Sequence, residues 1–137
     1  MHPVRRLRES GKATPAQVSV LLAENIVFNS PILIRPIEGR DVIAAIFAQS
    51  SSTRGSGTYT AEVKLDERTT FLRWVGTMEG HKIESMEVIV DNEKGLIKER
   101  TIALRPYPGG ETVPRRHVRS AQGQAAARCL GLLNAVV

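Results

Sequence analysis

Hydrophobic positions follow two regimes along this chain. Up to about residue 48 they come in short clusters and brief runs, and from Thr58 to Arg105 they alternate with polar positions at period two. The first clear element opens at Thr14. Thr-Pro-Ala-Gln sets an N-cap hydroxyl, a proline at the first helical position and a glutamine at the third, which is a capping box. The helix it predicts, roughly 15–23, carries Val18, Leu21 and Leu22 on one face. Ile26, Val27 and Phe28 then read as a brief strand. Pro31 and Pro36 restrict Ile32 to Ile34 to an edge strand or an extended connector. After Gly39, Asp41 falls in the first turn of a helix, favourable against its dipole, and Val42, Ile43, Ala45, Ile46 and Phe47 predict its burial. The run QSSSTRGSG, residues 49–57, reads as a flexible loop, with RGSG a linker by composition.

Four β segments are predicted at about 58–65, 70–78, 82–90 and 96–105. The gaps between them are short and turn-like: Asp66-Glu67-Arg68, Glu79-Gly80, and Asp91 to Gly95. Short gaps mean antiparallel hairpins, hence a meander. Helices followed by a run of strands predict an α+β fold.

At 137 residues, the chain suits one domain with a substantial core. Its net charge of +5 belongs to the ends. Residues 1–12 hold Arg5, Arg6, Arg8 and Lys12 against Glu9. Residues 109–137 hold Arg115, Arg116, Arg119 and Arg128 against Glu111. The middle is near neutral, and three Phe, two Tyr and one Trp do not furnish the stacking platform of a nucleic-acid binder. Nucleic acid is therefore disfavoured as a partner. The longest apolar run, Val42 to Ala48, is too short for a membrane span, and the basic start lacks the apolar run of a signal peptide. One cysteine, Cys129, makes no internal disulfide, so a cytoplasmic protein is expected. His2, His81 and His117 show no metal-ligand spacing, and no phosphate-cradling glycine loop is present. Neither a metal nor a cofactor is implied. Residues 1–13 read as a loosely held basic segment, 14–108 as the folded domain and 109–137 as a flexible tail.

ENIVFNSP, then EGRDVIAAIFA, then a meander with DNEKG in a hairpin and ALRPY at its end, resembles the SnoaL-like branch of the nuclear transport factor 2-like superfamily, which includes ketosteroid isomerases and polyketide cyclases. The resemblance spans roughly 14–108. It implies a cone-shaped roll: N-terminal helices packed on a curved, mostly antiparallel sheet, with a mainly apolar pocket between them. It also implies a homodimer through the sheet's outer face. A small apolar ligand would be the pocket's occupant, and isomerisation, hydration, dehydration or cyclisation its chemistry. In ketosteroid isomerases the position filled here by Ser30 is a proton-moving aspartate. Ser30 cannot replace it, because its hydroxyl is not ionised near neutral pH and no histidine lies close in sequence. A second acid of those enzymes aligns with Glu87, which would act as a carboxyl kept neutral by an apolar site. Such proteins also follow the Arg-Pro ending with a short helix. Thr112 to Arg119 admits codons that, one base later, encode RFRDAMY, so the tail also reads as a shifted frame.

Strand parity makes the Glu87 placement checkable. If Glu87 faces inward, so do Ser85 and Ile89, with Leu72 and Trp74 on one neighbouring strand and Arg100, Ile102 and Leu104 on the other. Together with Phe28 and Ser30 these are the expected pocket lining. Arg73, Val75, Met86, Val88 and Val90 would face outward. Two readings of Glu87 stay open: a catalytic acid or base, or one half of a structural ion pair with Arg100. Correspondingly, the chain is either a pocket enzyme of isomerase, lyase or hydrolase type, or a non-catalytic homodimeric binding and assembly domain.

Overall fold

The computed structural model describes residues 1–11 and 13–106. The tail at 109–137, with its reading-frame question, lies outside the described residues, as do His117 and Cys129.

The elements run α1 (Pro3–Glu9), α2 (Pro15–Ser19), β1 (Leu22–Asn29), β2 (Ile37–Glu38), α3 (Arg40–Thr53), β3 (Arg54–Lys64), β4 (Thr69–Met78), β5 (His81–Asp91) and β6 (Ile97–Arg105). The six strands form one curved, unclosed sheet in the order β2-β1-β6-β5-β4-β3. The meander β3 to β6 is antiparallel throughout, as its short turns require. β1 joins it parallel to β6, and β2 caps that edge. The α+β architecture expected from the sequence is present.

The capping box at Thr14 forms on both sides. The Thr14 hydroxyl accepts from Gln17 N–H, and the Gln17 amide oxygen accepts from Thr14 N–H. The helix stops earlier than expected because Leu22 already belongs to β1. Gly39 sits at φ 103, a backbone shape that favours glycine, and turns the chain into α3. Ile43, Ile46, Phe47 and Ser50 then make one buried stripe at helical spacing.

Two expectations are corrected. Residues 1–13 are not a loose segment. Pro3 takes the first helical position of α1, the His2 imidazole Nδ1 caps Val4 N–H at 3.2 Å, and Val4 is fully buried. The His2 backbone N–H donates to Glu62 Oε1 at 2.6 Å, and Arg5 Nη1 donates to Glu62 Oε2 at 3.1 Å, which ties α1 to β3.

Nor is 49–57 a loop. α3 continues to Thr53, and its serines and threonine turn their hydroxyls back onto helix carbonyls: Ser50 and Ser51 to Phe47 O, Ser52 to Gln49 O, and Thr53 to Ser50 O. RGSG is the start of β3 rather than a linker. Gly57 lies opposite Gly76, and a Cβ on either would come within 2.2 or 2.3 Å of the Trp74 ring. These glycines clear the space the indole fills.

The core runs between α3 and the inner sheet face, with Val18, Leu22, Phe28, Ile43, Phe47, Leu72, Trp74, Ile89, Ile97 and Ile102 in one cluster. No helix among the described residues is long and apolar enough to cross a membrane.

Candidate functional site

The inner face of β4, β5 and β6 carries a lattice of paired positions: Leu72 beside Glu87 beside Ile102, Trp74 beside Ser85 beside Leu104, and Ile89 beside Arg100. All are buried except Leu104, which is partly so. Arg73, Val75, Met86, Val88 and Val90 point the other way and are partly exposed.

At the centre of this lattice lies an ion cluster. Glu87 and Arg100 are buried, with 0% and 1% exposure. Arg100 Nε and Nη2 both donate to Glu87 Oε2, at 3.0 and 2.7 Å. Arg54 Nη2, arriving from the α3–β3 junction, donates to Glu87 Oε1 at 3.3 Å. Burial by itself would raise the Glu87 carboxyl, but Arg100, Arg8 and Arg54 overcome it and hold it well below the usual carboxylate range. Each guanidinium is also laid on an aromatic ring: Arg100 over Phe47 and Phe28, Arg8 over Phe47 at 4.3 Å, and Arg54 over Trp74 at 4.6 Å.

Of the two readings of Glu87, the geometry is therefore that of the ion pair. An ionised carboxylate whose two oxygens accept from two guanidiniums has no proton to donate to an oxyanion, and its depressed basicity makes it a poor proton acceptor. The side chain of Arg100 helps fill the interior that the sequence left for a ligand.

Beside this cluster, open space lies at the rim; other recesses, of about 430 to 510 Å³, lie elsewhere on the surface. A recess of about 340 Å³ opens between the end of α1, the end of α3 and the β3–β4 edge, lined by Arg8, Arg54, Ser56, Tyr59 and Trp74 among others. Of the expected lining residues only Trp74 borders it. Phe28, Leu72, Ile89 and Ile102 are core, and Arg100 and Ser85 are buried beside them. Leu104 packs against the core. Ser30 is half-buried away from the recess, and its hydroxyl accepts from Ile32 N–H at 3.2 Å, ordering the turn before the connector.

Sequence reasoning missed Arg54, Tyr59 and Arg8 as site residues. The first sat in a stretch whose serines and glycines suggested a loop, and the last in a segment read as loose. Tyr59 is buried at 8% exposure, and burial raises its phenol above the ordinary value. Its hydroxyl and the Ser85 hydroxyl have no hydrogen-bond partner among the described residues, and neither do Arg54 Nε and Nη1. No three metal-ligating side chains cluster among the described residues.

No protein-family model matches the chain, and no curated protein matches it significantly. Solved structures do. An uncharacterised protein with a cystatin-like fold from Silicibacter pomeroyi aligns with a TM-score of 0.69 at 25% identity, covering 78% of this chain and 77% of that one. A steroid delta-isomerase from Pseudomonas aeruginosa aligns with a TM-score of 0.65 at 17% identity, covering 88% and 76%. A nuclear transport factor 2-like protein of unknown function from Cytophaga hutchinsonii aligns with a TM-score of 0.55 at 18% identity, covering 77% and 85%. This chain shares its fold with these cystatin-like and nuclear transport factor 2-like proteins.

Proposed function

We propose that this chain is a small-molecule-binding domain whose ligand sits in the rim recess walled by Trp74 and Tyr59, and that the Glu87–Arg100 pair is its structural floor rather than its catalytic group. The observation that carries this is the separation of the two features. The carboxylate is buried and shared between guanidiniums, while the 340 Å³ recess is bordered by an aromatic wall and by residues whose buried polar atoms lack partners among the described residues. The fold supports a ligand pocket, since a steroid isomerase shares it. The proton-moving carboxylate expected of such an enzyme is a serine at position 30 here. A homodimer through the outer sheet face is part of the same proposal, supported by the partly exposed Phe71, Val75, Met86 and Val88 on that face. A cytoplasmic setting is proposed with it.

Trp74 is the chain's single tryptophan, so its fluorescence reports on the recess directly. A fragment library read by Trp74 emission, with hits mapped by amide chemical shifts, should give binders whose shifts cluster at Ser56, Tyr59 and Trp74. Hits that map elsewhere, or none at all, would remove this reading.

A further inference from the structure

We propose that the rim recess takes a small organic carboxylate, its anionic group drawn to Arg54 and the Tyr59 hydroxyl. This rests on the ligand-binding reading above and narrows it to one ligand chemistry.

The first argument is charge. Arg54 and Arg100 share one buried carboxylate, Glu87, with side-chain exposures of 7%, 1% and 1%. Among the described residues these two guanidiniums, with Arg8 close by, face one carboxylate, so the local balance is positive in a poorly solvated site. Burial, and after it the nearby Arg8, pushes the Arg54 guanidinium down to about 9, with Glu87 offsetting only part of this. Among the described residues Arg54 has one carboxylate partner, Glu87, which Arg100 shares.

The second argument is hydrogen bonding. Arg54 Nε and Nη1 and Tyr59 Oη are buried without a partner among the described residues. Buried donors left unmade are costly and uncommon in folded proteins. A carboxylate supplies two charged acceptor oxygens for them, where a ketone supplies one neutral oxygen and a hydrocarbon none. Both residues border the recess. Glu9, which also borders it and would repel an anion, is turned to Arg5, whose Nε donates to it at 2.8 Å.

The third argument is size. A recess of about 340 Å³ lies at the small end of ligand pockets, roughly 300–1,000 Å³. The aromatic wall favours an organic acid over inorganic phosphate, which has no apolar part to lay against it. The Trp74 and Tyr59 rings offer apolar surface to the remainder of the acid.

The test uses the full chain and four probes: butyrate, benzoate, the neutral isostere benzamide, and inorganic phosphate, each titrated at constant ionic strength against Trp74 fluorescence. The expected result is saturable binding of benzoate or butyrate at least tenfold tighter than benzamide. Arg54→Gln should weaken it at least tenfold. Because Arg54→Gln also removes a buried partner of Glu87, Tyr59→Phe serves as the milder variant, expected to weaken benzoate severalfold with the fold intact by circular dichroism. If benzamide binds the recess as tightly as benzoate, and Tyr59→Phe and Arg54→Gln leave both unchanged, the carboxylate proposal is wrong while the ligand-binding reading stands. Phosphate binding without carboxylate binding also overturns the proposal. If no probe perturbs Trp74 and the fragment library finds no binder, both readings fall.

Discussion

Glu87 Oε2 accepts two hydrogen bonds from Arg100 across adjacent strands, at 3.0 and 2.7 Å, with both side chains sealed from water. Charges buried this deeply are tolerated only when paired and hydrogen-bonded. Removing one partner strands the other. Glu87→Gln should therefore destabilise the fold by about 3–5 kcal/mol, well above a typical surface change. Urea unfolding measures this directly. A loss below about 1 kcal/mol would mean that the pair is not the floor of the interior.

The same pair sets an acid limb of stability. The folded Glu87 carboxyl is depressed, with burial opposing the shift and Arg100, Arg8 and Arg54 outweighing it. Its contribution is complete above the unfolded-state value of about 4.3 and is lost as pH falls from there through the lower folded value. Stability should thus be insensitive to this group near neutrality and fall steeply below about pH 4. Glu87→Gln should flatten that limb, although Glu62, Asp66 and Glu84, also depressed, keep part of the slope. Equal acid slopes in the two proteins would contradict the assignment.

Trp74 fills space that Gly57 and Gly76 leave open, since a Cβ at 57 would lie 2.2 Å from the indole. Gly57→Ala should cost about 1–3 kcal/mol through overpacking. In a Trp74→Leu background the same change should cost less, the signature of two residues coupled through shared space, with a remainder from the Gly76 Cα at 2.8 Å. Additive penalties in the double-mutant cycle would show that Gly57 serves backbone shape instead.

Much of this architecture is legible in the residues, and the part that is not has physical causes. The period-two pattern and short turns specify the meander, and with it the common face of Leu72, Trp74, Ser85, Glu87 and Arg100. Side-chain parity then allows Glu87 and Arg100 to meet, but cannot say whether a carboxylate on that face is paired or free. The side-chain conformations settle that: Arg100 closes on Oε2, and Arg54 reaches the other oxygen from outside the central strands. Arg54 was hidden because serine and glycine usually mark loops. Here the serines return their hydroxyls to carbonyls of their own helix, and Gly57 accommodates an indole from the neighbouring strand, a contact that composition does not show. The short helix α1 was hidden for a related reason. Its cap is a histidine, an uncommon choice, and its anchoring rests on Val4, fully buried, and Leu7, partly so, among arginines.

The outer sheet face leads to the last prediction. Val88 stands between Phe71 on β4 and Thr101 on β6, and Met86 between Arg73 and Ala103. Val88, Met86 and Phe71 are partly exposed, beside the Arg73–Glu84 ion pair. A sheet face of this composition is well suited to cover by a second copy, because a homodimer interface is more apolar than ordinary surface. Its edge charges would then sit at the polar rim. The full chain should sediment as a dimer at micromolar concentration, with a thermal midpoint that rises with protein concentration. Val88→Lys places an unpaired ammonium at the centre of the interface and should shift the population to monomer. The circular dichroism spectrum should be retained, because residue 88 points away from the core. A wild-type chain that is monomeric at every concentration tested would refute the dimer. A Val88→Lys protein that remains dimeric would move the interface to another face.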